Sequence, residues 1–274
     1  MNPNEKVIAR DRDHLLELIE ETFEKEGKNC DLSFIDVSQV TDMHDLFAGE
    51  GPILNLDTGE EEERIPFNLG IGNWDVSNVT DMSHMFNGSN FNGDISRWNV
   101  SNVEKMACMF DESLFNGDIS NWNVSKVQDM MAMFRESQFT GDISRWDVSN
   151  VRNMRDMFRG SLFNGDVSDW NVSNVTDMAY MFCLSPFNGD VSRWNVSNVT
   201  NMNAMFSETP FNGDVSNWDV HNVTNMILMF EQSKFNGDVG KWNVSKATNV
   251  KDMFEKSALE KAGKLPAWYK NFRI

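Results

Sequence analysis

Apolar residues recur along most of the chain in a fixed pattern. In the unit that begins at Trp74 they stand at Val76, Val79, Met82, Met85, Phe86, Phe91 and Ile95, and the residues between them are polar or glycine. Seven apolar columns in an otherwise polar unit define an interior. Tryptophan opens each unit, at Trp74, Trp98, Trp122, Trp146, Trp170, Trp194, Trp218 and Trp242, with a constant spacing of 24. The consensus reads WxVSNVTxMxxMFxxSxFNGD(I/V)Sx. A fixed period of this length marks a repeat architecture in which each unit buries its apolar face against its neighbours.

The expected fold is therefore a repeat solenoid, a stack of coils with short parallel strands and short helical turns. Coils that follow one another without reversing direction stack their strands in parallel. The segments Asp94 to Trp98 and Val79 to Met82 are the expected strands, and the Met-Phe stretch suits one tight helical or 3₁₀ turn.

Three regions follow. Residues 1–33 form an N-terminal helical cap, with Asp11 and Asp13 as candidate N-cap residues and Leu15, Leu16, Leu18, Ile19 and Phe23 as its apolar face. Residues 34–257 hold one degenerate unit and eight full repeats. The degenerate unit starts at Ile35, and an insertion near 51–65 separates it from Trp74. Residues 258–274 form a C-terminal cap with Leu259, Leu265, Trp268, Tyr269 and Phe272 as its closing group, Pro266 limiting the helix.

The Met column could suggest a soft-metal channel, and the Trp column a row of stacking platforms for sugars. Core packing is the reading taken for the Met column, and core or half-buried edge for the Trp column, with the indole N–H turned to a partner. The recurring Asn-Gly-Asp, as at Asn92-Gly93-Asp94, is turn chemistry. Gly would accept positive φ there, and the Asn and Asp side chains would bond free backbone donors. Stacked Asp columns leave a calcium-binding alternative open.

Charge narrows the partners. Asp and Glu outnumber Lys and Arg by 42 to 24, a net charge of −18, so nucleic acid and anionic membrane surfaces are disfavoured. Cys30, Cys108 and Cys183 have no metal-ligand spacing, and neither a cofactor nor a metal is expected. No apolar run is long enough for membrane insertion. The start of the sequence lacks a signal peptide, which points to the cytoplasm. On that ground the many Asn-X-Ser/Thr sites are not expected to be glycosylated, and Asn99 and its equivalents are expected to bond neighbouring coils.

No polar cluster breaking the columns stands out. His84 and Cys108, in one column on adjacent coils, are the nearest approach to a catalytic pair, without a third residue to orient the histidine. The chain is read as a non-enzyme. Two exposed columns are candidate interaction surfaces. One contains Arg97, Asn121, Arg145, Asp169, Arg193, Asn217 and Lys241; the other contains Tyr180, Ile227 and Leu228.

The words Trp74-Asp-Val-Ser-Asn-Val-Thr-Asp-Met82, and Met181-Phe182 through Phe187-Asn-Gly-Asp190, closely resemble the repeat of BspA-like leucine-rich repeat proteins. That repeat is also described as a Mycoplasma-type repeat of unknown function. The resemblance covers Phe34 to Ser257; FNGDIS here replaces the family's FNQDLS. It implies a right-handed, leucine-rich-repeat-like solenoid and an adhesin-like bacterial surface or secreted location. The implied partner is a protein, including a host protein; the chain is expected to be a monomer. The alternative function is a calcium- or glycan-binding structural solenoid.

Overall fold

The computed structural model describes residues 6–49 and 68–272; the insertion near 51–65 lies outside the described residues. Two-residue strand β1 (Val7–Ile8) pairs in parallel with β2 (Ile35–Asp36), Val7 opposite Ile35. Between them runs α1 (Arg12–Glu26). Asp11 caps it by accepting the His14 N–H at 2.9 Å, and Gly27 ends it at φ 81°. Leu15 and Ile19 are buried, and Leu18 and Phe23 pack on the same core.

From α1 onward the chain winds as a solenoid. Each coil contributes one residue to a parallel ladder that runs Asp42, Asp81, Lys105, Asp129, Asn153, Asp177, Asn201, Asn225, Asn249. The ladder is narrow. Of the two expected strands, Val79 to Met82 carries this single pairing, and Asp94 to Trp98 carries none. Local bonds explain the second absence. Asp94 Oδ1 takes the Ser96 N–H at 2.9 Å, and the Trp98 N–H closes on Ile95 O at 3.1 Å. These two donors are used inside the coil and are not available to a neighbour.

The Met-Phe stretch is not the helical turn its sequence suggested. The N–H groups of Met82, His84 and Phe86 donate to Lys105, Ala107 and Met109 of the next coil at 3.0, 2.8 and 2.9 Å. Those of Met85, Asn87 and Ser89 close tight turns on Met82, His84 and Phe86. This alternation requires a left-handed residue at every fourth position. His84 has φ 59° and Gly88 φ 65°, and the equivalents in later coils, such as Tyr180 at 58° and Glu208 at 56°, repeat it. Only a minority of these residues are glycine, so each coil holds backbone strain of about 1–2 kcal/mol per non-glycine residue. Ladder bonds and packing offset it.

The seven apolar columns are buried, and the Met column from Met82 to Met226 has no exposed surface. Phe86, Phe110 and Phe134 stack at 5.6 and 5.7 Å between centroids, each also facing the ring five residues on, as Phe110 faces Phe115 at 4.3 Å. The tryptophans are buried at 3–5% exposure and each indole is satisfied. Trp98 Nε1 donates to Ile71 O of the preceding coil at 3.0 Å, and Trp242 does the same to Val215 O at 3.0 Å. The C-terminal segment continues this column: α2 (Ala258–Lys261) leads to α3 (Ala267–Lys270), where Trp268 Nε1 donates to Val239 O at 2.9 Å. Tyr269 seals the end against Phe254, edge-on at 5.0 Å.

The glycine of Asn-Gly-Asp is needed for space, not for positive φ as expected. A Cβ at Gly117 would lie 2.8 Å from the ring of Phe115, and Gly189 stands in the same relation to Phe187. Neither has a left-handed φ. The Asn builds a ladder between coils: Asn188 and Asn212 donate their N–H to Asn164 and Asn188 Oδ1 at 3.0 and 2.9 Å.

Candidate binding face

Three solvent-facing strips of each coil differ in how far their polar groups are already engaged. The first is the column of Arg97, Asn121, Arg145, Asp169, Arg193, Asn217 and Lys241, all exposed. It follows the Asp94-type turn and so lies on a turn edge, away from the ladder, rather than on a strand face. Arg193 pairs with Asp169 of its own column at 2.7 Å. The neighbouring Asp column is held by its turns: hydrogen bonds from Ser96 hold the Asp94 carboxyl below the usual carboxylate range, and Asp142 and Asp166 are lowered the same way by Ser144 and Ser168. One oxygen of each is committed inside its coil, and among the described residues no three His, Cys, Asp or Glu side chains are gathered as metal ligands.

The second strip contains Tyr180, Ile227 and Leu228, which are half-buried rather than exposed. They do not form one column. Tyr180 and Leu228 occupy the left-handed position, and Ile227 belongs to the column before it, with Arg155 and Asn203. Tyr180 is already engaged: its hydroxyl accepts from Asn203 Nδ2 at 2.9 Å. Its ring faces the guanidinium carbons of Arg155 and Arg159 at 5.4 and 5.3 Å. Both arginines pair with Asp156, at 3.2 and 3.4 Å. In the same strip Cys108 is buried, and burial pushes its thiol up to about 11, which keeps it protonated at neutral pH.

The third strip flanks the ladder. Its two outward columns are nearly uniform. In one, Asn102, Asn150, Asn174 and Asn198 donate Nδ2 to the backbone of the preceding coil, Asn150 to Ser125 O at 2.7 Å. In the other, Thr200 and Thr224 donate their hydroxyls to Thr176 O and Thr200 O at 3.1 Å. The Asn column is broken at Lys126 and Lys246, and the Thr column fails in three successive coils. Glu104, Gln128 and Arg152 stand where the other coils have Thr, and Lys126 stands where its neighbours have Asn.

These four side chains line a groove of about 600 Å³ that continues along Asn150, Asn174, Thr176 and Asn198. Lys126 Nζ donates to Asn102 Oδ1 at 2.6 Å. The charged heads of Glu104 and Arg152 make no hydrogen bond or ion pair among the described residues. This is the column-breaking polar cluster that the sequence reading did not find. Its members come from three coils spanning 48 residues of sequence, and alignment of the Thr and Asn columns coil by coil is the signal that exposes them.

Asn99 and its equivalents do not bridge coils as expected. Asn99 Oδ1 accepts the Ser101 N–H at 3.2 Å within its own coil, and the Asn102 column makes the intercoil bond.

The fold is a repeat solenoid whose coils bond one another through shared Asn and Thr columns, with a locally distinct polar groove where Glu104, Lys126, Gln128 and Arg152 interrupt them. The chain belongs to the family described as Mycoplasma protein of unknown function, DUF285, whose model matches residues 17–110, 60–162 and 160–268. No curated protein and no solved structure gives a significant match. Among the described residues no helix is long and apolar enough to cross a membrane.

Proposed function

We propose that the chain is a non-catalytic protein-interaction module, adhesin-like, whose ligand lies across several coils of the ladder face. One observation carries this reading: Glu104 and Arg152 present unpaired charged heads in a groove on a face whose other members bond from coil to coil. Fixed scaffold with local variation at exposed positions is how repeat proteins acquire specificity. We further read the coil as leucine-rich-repeat-like, because a parallel ladder on one side is joined by turns on the others. The resemblance to BspA-like repeats supports a bacterial surface or secreted setting and a protein partner.

Sugar stacking and calcium have less support. The indoles are buried and bonded, and the Asp carboxylates serve turns.

The test is a partner-capture comparison between the wild-type chain and a variant reverted to the repeat consensus, Glu104→Thr, Lys126→Asn, Gln128→Thr and Arg152→Thr. Each replacement already occurs in an equivalent coil, so the fold is retained. A partner held by the wild type and released by the variant supports the module; partners held equally by both remove it.

A further inference from the structure

The spacing of the unpaired heads in this groove bears on what it holds. Glu104, Gln128 and Arg152 occupy one column in successive coils, and parallel ladder neighbours lie about 4.8 Å apart. The two-coil step from Glu104 to Arg152 is therefore about 10 Å. A polyproline II helix has three residues per turn and rises about 3.1 Å per residue, so its residues i and i+3 share a face about 9 Å apart. A β-strand does not fit as well, because its residues i and i+3 point to opposite faces. One turn of polyproline II matches two coils of the solenoid.

We propose that the groove binds an extended, polyproline II-like peptide segment lying along the solenoid axis, with one basic and one acidic side chain three positions apart. This rests on the interaction reading above. The basic residue meets Glu104. The acidic residue meets Arg152, which can take a carboxylate with two parallel hydrogen bonds. Lys126, in the coil between them, reaches back to Asn102 in the coil of Glu104 and adds positive charge along the groove. A polyproline II backbone has no internal hydrogen bonds. Its free N–H groups meet the Oδ1 atoms of Asn150 and Asn174, whose Nδ2 atoms are already spent on Ser125 and Ser149. Charge balance supports a mixed-charge ligand: at a net charge of −18 the chain repels a purely acidic segment, and Lys126 with Arg152 repels a purely basic one in the groove.

The experiment measures binding of synthetic peptides to the full chain by fluorescence polarisation. The peptides share a neutral background of alternating Pro and Ala, which favours the extended helix and keeps backbone N–H groups, and carry one Lys and one Glu at separations of two, three, four or five residues, in both orders. The expected result is at least tenfold tighter binding at separation three, in one order. The charge-exchanged variant Glu104→Arg with Arg152→Glu, its folding checked by circular dichroism and denaturant midpoint, is expected to prefer the opposite order. A flat dependence on separation, tightest binding of all-acidic or all-basic peptides, or an unchanged order preference in the exchanged variant overturns the proposal. If the consensus-reverted chain still releases a partner that the wild type holds, the module reading survives a flat peptide series; if neither responds, both fall.

Discussion

Trp146 reaches back one coil and donates its indole N–H to the main-chain oxygen of Ile119 at 3.1 Å. The same oxygen also accepts the N–H of Trp122 at 3.1 Å, so one carbonyl joins the turn of its own coil to the side chain of the next. Replacing Trp146 with Phe removes the buried donor and part of the ring. The expected loss is about 2 kcal/mol, from the hydrogen bond and the space left behind. The denaturant midpoint of the variant, with its unfolding slope unchanged, checks this.

Two glycine substitutions should act in opposite directions. Gly189→Ala places a methyl group 2.8 Å from the Phe187 ring, and overpacking of this kind costs about 1–3 kcal/mol. Glu208→Gly relieves a left-handed residue, φ 56°, at an exposed position. It should stabilise by about 0.5–1 kcal/mol, less than the full strain because glycine gains freedom in the unfolded chain. Urea unfolding of the two variants beside the wild type gives the signs directly.

Much of this was legible in the sequence. The 24-residue period gave the solenoid, the seven columns gave the core, and Asp11, one of two candidate caps, marked the start of α1. The strand at Asp94 to Trp98 and the helical Met-Phe turn were not legible. A period of 24 says which residues stack, but not which N–H groups turn toward the next coil. That depends on the left-handed φ at His84 and its equivalents, adopted by Cys, Ala, Asp, Tyr and Leu alike. The groove was hidden for a different reason: Glu104, Lys126, Gln128 and Arg152 each look like an ordinary surface substitution until the ladder places them side by side.

Acid should weaken the fold through the Asp turns. The folded values of Asp94, Asp118, Asp142, Asp166, Asp190 and Asp214 lie below the ordinary 3.8, because serine N–H and hydroxyl groups bond the ionised form. The unfolded chain then binds protons more readily than the folded one. This contribution is fully present above the ordinary value and is lost as pH falls through the lowered folded values. Asp142→Asn with Asp166→Asn keeps an acceptor in each turn and should flatten the acid limb of a stability profile measured from pH 7 to pH 3.

The buried thiols of Cys108 and Cys183, both pushed up to about 11 by desolvation, should resist alkylation. At pH 8 iodoacetamide is expected to modify them only in denaturant, as read by intact mass. Rapid modification of the native chain would contradict their burial.

The most direct test compares two faces of one molecule. Titration of a captured partner against the ladder-face reversion (Glu104→Thr, Lys126→Asn, Gln128→Thr, Arg152→Thr) is set beside the turn-edge variant Arg97→Asn, Arg145→Asn, Arg193→Asn. The account predicts at least a tenfold loss of affinity for the first and less than a twofold change for the second. The reverse order, with binding lost at the turn edge and kept on the ladder face, would contradict it.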